Sequence, residues 1–156
     1  MEDLVDCHDE HGNIHRIAKS KMVSRPGAFG FVRRGDSLLM TFDPRSGLHN
    51  LIGGGIDEGE TAPEAMVREI REESGLIVDT MRPVASLQIH GWFAHHKVAR
   101  TLQYEFFECF LVGGQDLDNL VTDEEFEIPT WRPIEGLLDE VYWWLKEPIQ
   151  FYLERY

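Results

Sequence analysis

Residues 54–76 read GGIDEGETAPEAMVREIREESGL. Within this stretch Gly54, Glu60, Arg68, Glu69, Ile70, Glu72, Glu73, Gly75 and Leu76 stand at fixed offsets. A set of positions so restricted to glycine, glutamate, arginine or an aliphatic residue arises by chance on the order of once in a billion windows at average residue usage. The local pattern shows what is being held in place. Thr61 followed three residues later by Glu64 is a capping box, Pro63 suits a first turn, and Gly75 suits a C-terminal stop, so a helix is predicted from Ala62 to Ser74. At about 3.6 residues per turn, Glu69, Glu72 and Glu73 share one face of that helix. Carboxylates this close repel and raise one another's proton affinity, unless a divalent cation or an arginine neutralises them. Hard oxygen ligands select Mg2+ or Mn2+.

The other side of the helix carries Ala62, Ala65, Met66 and Ile70, spaced to pack on a sheet. Arg68 lies one turn from both Glu64 and Glu72 and is placed to hold them. Upstream, Gly53-Gly54-Gly55 and Gly59 permit a looping backbone that brings carbonyl groups and Glu60 to the same charge cluster. Most Glu-rich helices are solvated, salt-bridged surface elements. The glycine offsets on both sides, and Arg68 directly before Glu69, favour a functional site here.

The stretch resembles the Nudix box, Gly-x5-Glu-x7-Arg-Glu-aliphatic-x-Glu-Glu-x-Gly-aliphatic, and matches it at every fixed position. The resemblance implies an α+β fold, a Nudix-type α/β/α sandwich with a central mixed sheet. It implies metal-dependent hydrolysis of the diphosphate linkage in a nucleoside diphosphate joined to another moiety. By the same resemblance Glu69, Glu72 and Glu73 hold Mg2+ or Mn2+, the Gly54 carbonyl is a further ligand, and Glu69 doubles as general base. Arg68 orients the acidic groups and Glu60 supports the loop. Members of the family often place one more metal-binding or basic carboxylate in a loop ahead of a tryptophan. Here Asp123-Glu124-Glu125-Phe126-Glu127 precedes Trp131, and Glu125 is the expected residue, with Glu124 next. One departure lies upstream of the box, where many members have Trp-x-Leu-Pro-Gly-Gly and this chain has His49-Asn50-Leu51-Ile52-Gly53-Gly54.

A chain of 156 residues with 42% hydrophobic content suffices for one well-cored domain. Acidic residues number 28 against 15 basic, a formal charge of −13 that disfavours non-specific binding to nucleic acid or an anionic membrane. No apolar run nears the length of a membrane span, and Met1-Glu2-Asp3 lacks the basic start of a secretory signal. Cys7 and Cys109 do not suggest a disulfide scaffold. The expected setting is cytoplasmic, the expected partner a nucleotide-derived small molecule, and a homodimer is left open.

Leu4 to Asp6 and Ile14 to Ala18 flank a polar turn and form an N-terminal hairpin extension over 1–24, ahead of a core domain over 25–156. Ala28 to Arg33 and Leu38 to Phe42 form a second hairpin around Arg34-Gly35-Asp36, and Leu48 to Ile52 leads into the glycine loop. After the box helix, strands are predicted over Arg82 to Ile89 and Thr101 to Val112, the second with a bulge or burial on both faces. Pro133 opens a helix whose Ile134, Leu137, Leu138, Val141 and Leu145 follow the helical period, with Pro148 stopping or kinking it and a short final helix over Ile149 to Tyr156.

Arg25, Arg33, Arg45, Lys97 and Arg100 form the pool for phosphate contacts, and Arg25, Arg45 and Trp92 are the expected substrate-binding residues. His95 and His96 adjoin in a polar loop, where solvated residues are the default. Cys7, His11 and His15 are spaced four apart, but Gly12-Asn13 marks a turn and no fourth ligand appears, which argues against zinc. Family subgroups are often marked by a Pro or Tyr about fifteen to eighteen residues past the box. Gly91-Trp92-Phe93-Ala94 stands in that region and matches neither, so the substrate stays open. Two other classes fit a Nudix-like chain: a non-catalytic ligand-binding or sensor domain, marked by a lost box carboxylate, and a prenyl-diphosphate isomerase, which needs a catalytic cysteine.

Overall fold

Short turns and alternating hydrophobics dictate most of the strands. In a computed structural model describing residues 1–156, β1 (Leu4–His8) and β2 (Ile14–Ala18) form the N-terminal hairpin. The chain continues through β3 (Met22–Phe31), β4 (Arg33–Arg34), β5 (Ser37–Asp43) and β6 (Leu48–Gly55) into α1 (Ala62–Ser74). A long hairpin follows, β7 (Val78–Phe93) and β8 (Val98–Leu111), then β9 (Ile128–Pro133) and α2 (Lys146–Arg155).

The strands make one curled mixed sheet in the order β2-β1-β7-β8-β3-β6-β5-β4, with β9 on β5. β3 runs parallel to β8, and the hairpin joins the sheet where His8 of β1 pairs with Gly91 of β7. α1 covers one face, burying Ala65, Met66 and Ile70 against Ala28, Val32, Leu39 and Ile52. Gly30 permits that approach, since a Cβ there would lie 2.8 Å from Met66 Cε and 3.1 Å from Cys109 Sγ. α2 covers the other face, with Tyr152 stacked on Phe31 at 4.2 Å and Ile149 beside Leu38 and Met40 in the second core. Each such aliphatic or aromatic side chain contributes about 1.5–3 kcal/mol by leaving water. The result is the α/β/α arrangement expected from the sequence.

The box helix spans Ala62–Ser74, with the Thr61–Glu64 capping box closed in both directions and Gly75 left-handed at φ 77°. Two expectations need correction, and the structure adds one strand. No helix runs from Pro133 to Leu145: short 3-10 turns cover Leu137–Asp139 and Trp143–Leu145, and the backbone between them pairs with His49. The periodicity reported burial of Leu137, Val141 and Leu145, while left-handed Gly136 and the His49 ladder set the backbone. Pro148 does not end a helix but sits in the first turn of α2, where a missing N–H costs nothing. Ile128–Pro133 is a strand, held by its register against β5. In β8, the buried run Phe106 to Cys109 reflects burial on both faces, and the register irregularities fall on β7.

Candidate active site

The glycines before α1 are defined by what lies against them. Gly53 has φ 147°, and a Cβ there would lie 2.2 Å from the Ala28 carbonyl oxygen. At Gly54 a Cβ would lie 2.7 Å from Glu69 Oε1. The first glycine lets β6 lie flat on β3, and the second lets the helix carboxylate reach the loop.

Arg68 anchors the loop on the helix. It donates to Glu60 at 2.8 and 2.9 Å, to Glu69 at 2.8 Å, to Glu72 at 3.2 Å and to the Gly55 carbonyl at 2.9 Å. The anticipated pairing with Glu64 is not made, because Glu64 accepts from Thr61 N in the capping box at 2.8 Å. The bond from Arg68 holds the Glu60 carboxyl down to about 2.

Glu73 is placed differently. Its Oε1 accepts from Gly53 N at 2.8 Å, while its buried Oε2 has no partner. Burial and the adjacent Glu127 carboxylate push its proton affinity well up, and Glu69 beside it is raised as well, chiefly by burial. Glu73 and Glu127 face each other at hydrogen-bonding range, where a proton or a cation between them relieves the repulsion. Arg68 sets its single positive charge against Glu60, Glu69 and Glu72, and Glu73 has no ion-pair partner. Orphaned carboxylate oxygen is the donor that a hard divalent cation fits. Glu69, Glu72 and Glu73 do not form a ready-made ligand trio, because Glu72 is turned to Arg68.

Next to this cluster is a cavity of about 500 Å3. Phe29, Leu102 and Tyr104 form its floor, Tyr142, Trp143 and Trp144 one side, and the β1–β2, β5–β6 and β7–β8 turns its rim. Two contacts join cavity and box. A Cβ at Gly27 would lie 2.7 Å from the Tyr104 ring and 3.2 Å from the Gly54 carbonyl oxygen, so floor and loop meet at that glycine. On the rim, Arg45 forms a fork with Asp43 at 3.0 and 2.9 Å, lies over Phe126, and feels the charge of Glu127. Asn50 lines the wall with a buried, unpaired Oδ1.

A NUDIX domain model matches residues 23–152. The chain belongs to the Nudix family. Among curated relatives of this Nudix chain is an NAD-capped RNA hydrolase NudC of Stutzerimonas stutzeri, 29% identical over 114 residues, covering 72% of this chain and 37% of the relative. The NudC of Klebsiella pneumoniae is 40% identical over 108 residues, covering 68% and 38%. This chain thus spans well under half the length of these relatives. The same fold occurs in the MutT protein from Methanosarcina mazei, at TM-score 0.66, 16% identity and coverage of 86% and 96%. It occurs also in the E. coli ORF135 protein, at TM-score 0.65, 20% identity and coverage of 86% and 92%.

Of the anticipated substrate contacts in this Nudix protein, Arg45 and Trp92 line the cavity with His95 and His96, and Arg25 lies on the box glycines, with Nη2 3.1 Å from where a Gly55 Cβ would stand. Arg100 packs over Phe93, and Arg33 turns to the Gly35 carbonyl. His15 bonds Asp9, while buried Cys7 points to Met22, so the three residues weighed for zinc do not converge. In the acidic run, Glu124 and Glu125 are exposed, and the carboxylate beside Glu73 is Glu127. Ile128 pairs with Phe42, which fixes Glu127 one residue outside the ladder, and Glu125 falls further out in the loop. The start of β9 was the missing signal. Asn50, Tyr104, Tyr142 and Trp143 gave no motif and became visible only as cavity walls.

Proposed function

We propose that this protein is a nucleotide pyrophosphohydrolase: it cleaves the diphosphate of a nucleoside diphosphate linked to another moiety, with Mg2+ or Mn2+ as cofactor. The observation that supports this most directly is the buried, unpartnered Glu73 Oε2 between Glu69 and Glu127. Glu69, Glu72 and Glu73, with the Gly54 carbonyl, are the residues that would hold the cation once Glu72 turns from Arg68, and Glu127 would add a carboxylate beside Glu73. When bound, the cation neutralises diphosphate oxygens and makes water a stronger acid at neutral pH. Glu69 or Glu127 accepts the proton of the attacking water, Arg68 keeps Glu60, Glu69 and Glu72 in register, and Arg25 and Arg45 meet phosphate oxygens. Trp92 and the cavity take the group carried by the diphosphate. Glu125, expected to serve in place of Glu127, is the control.

The family's non-catalytic reading is disfavoured because every box carboxylate is present. An isomerase needs a reactive cysteine, whereas burial pushes the Cys109 thiol up to about 12 and raises that of Cys7. Two free cysteines suit a reducing, cytoplasmic setting, and no helix is long and apolar enough to cross a membrane.

The test is a panel of NAD, ADP-ribose, nucleotide sugars, nucleoside triphosphates and dinucleoside polyphosphates, assayed with Mg2+ and Mn2+ by phosphate release after coupling. At least one member is hydrolysed in a metal-dependent way. A panel wholly inert with both metals overturns the reading.

A further inference from the structure

The hairpin of residues 4–18 precedes the stretch matched by the family model, yet its turn forms part of the cavity rim. One residue builds that turn. Asp9 accepts from His11 N and Asn13 N at 2.9 Å each, from Asn13 Nδ2 at 3.1 Å and from His15 Nε2 at 3.0 Å. Its backbone is occupied as well, since the Asp9 carbonyl accepts from Trp143 Nε1 at 2.7 Å. His8 packs on Trp143 with ring centroids 4.8 Å apart, and His15 on Trp92 at 5.8 Å. Trp143 and Trp92 both line the cavity, one from the segment before α2 and the other from the end of β7. The hairpin is therefore tied to two aromatic walls that come from different parts of the chain.

We propose that the N-terminal hairpin is a working part of the substrate pocket, with Asp9 as the positioning residue that sets Trp143 and Trp92 to receive the planar ring of a nucleobase. The inference rests on the proposed nucleotide substrate and deepens it. A ring is the occupant the walls fit, because indole faces stack on heteroaromatic planes. The cavity volume, about 500 Å3, lies in the range of small-molecule sites. Asp9 touches no substrate itself, because each of its acceptor sites is taken within the turn. Its effect passes through the two tryptophans.

Binding is read by tryptophan fluorescence without metal, using AMP, GMP, CMP and UMP as probes and ribose 5-phosphate as the ringless control. At least one nucleotide quenches the signal and ribose 5-phosphate does not. Asp9→Ala weakens that binding about tenfold or more. Asp9→Asn, which keeps an acceptor for His11 N and Asn13 N, weakens it less. Should Asp9→Ala lower the melting temperature enough to confuse the reading, Trp143→Phe decides, because it retains an aromatic wall and releases only the Asp9 carbonyl. Nucleotide binding that is equal to that of ribose 5-phosphate, or that is unchanged in both Asp9→Ala and Trp143→Phe, overturns the proposal. Ring-dependent binding that is lost in Asp9→Ala upholds the pocket even where the substrate panel shows no hydrolysis, and hydrolysis without hairpin dependence upholds the reaction alone.

Discussion

Two carboxylates in this molecule, Asp9 and Glu73, are both drawn into tight local structure, and they differ in what is left over. Burial opposes ionisation of Asp9, but donors from His15, Asn13 and His11 outweigh it and hold its carboxyl well below the usual range. Glu73 receives one backbone N–H, faces Glu69 and Glu127, and is held well above the range by burial and by Glu127. A satisfied carboxylate is a fastener. A buried one left short of partners carries a cost of several kcal/mol that persists only where something offsets it, and here a cation would.

The sharpest break of this comparison comes from removing the charge at Glu73. Glu73→Gln is expected to lower turnover about a hundredfold or more while raising the melting temperature of the metal-free protein, because a buried uncompensated charge has gone. Steady-state kinetics and a thermal scan in EDTA measure the two arms. Near-normal turnover sinks the metal role of Glu73, and a lower metal-free melting temperature sinks the claim of an uncompensated charge.

Next in size is the choice between Glu127 and Glu125. Glu127→Gln should cost about tenfold or more in turnover with KM little changed, since the lost interaction strengthens in the transition state. Glu125→Gln, at an exposed site, should change neither quantity. The reverse pattern would restore the assignment made from the acidic run alone.

That pair shows where sequence stops being legible. The box helix, its caps and its sheet-facing residues could be read outright, because capping and periodicity are local rules and Thr61, Glu64 and Gly75 obey them. Glu127 depends on the strand Ile128–Pro133, whose pairing with β5 bridges a separation of about ninety residues, and no local rule sets a register that distant. The segment from Pro133 to Leu145 misled for a related reason. Its apolar spacing records burial under α2, and a helix and a pair of 3-10 turns can bury the same positions. The cavity could not be read at all, since its walls come from three turns and a floor that only the curled sheet brings together.

A smaller effect sharpens the contrast through mass action. Mg2+ that binds the folded cluster and not the unfolded chain stabilises by about 2.7 kcal/mol at a hundred times its Kd. The wild type should therefore melt higher in millimolar Mg2+ or Mn2+ than in EDTA. Glu73→Gln should lose most of that rise, whereas Asp9→Asn should keep it, its turn lying outside the carboxylate cluster. Equal shifts in all three proteins would place the cation elsewhere.

The smallest expected effect is the dependence of metal-free stability on pH, and its sign differs between the two residues. Glu73 has a folded value raised above 4.5, so its contribution is fully present below that pH and is lost as pH rises through the folded value. The advantage of Glu73→Gln over wild type should accordingly grow as pH rises from about 4.5. Asp9 is lowered below 3.8, so its contribution is complete above that pH and falls away as pH drops through the folded value. The deficit of Asp9→Asn should be flat from pH 5 to 7, to within about a few tenths of a kcal/mol, and shrink only in acid. Melting temperatures of the three proteins in EDTA, scanned across both windows, separate the behaviours. A Glu73→Gln advantage that does not change with pH means the carboxyl is not strained by its surroundings. An Asp9→Asn deficit that grows in acid means that the four donors around Asp9 do not stabilise its charge, and the difference between fastener and site would then lie somewhere other than hydrogen-bond satisfaction.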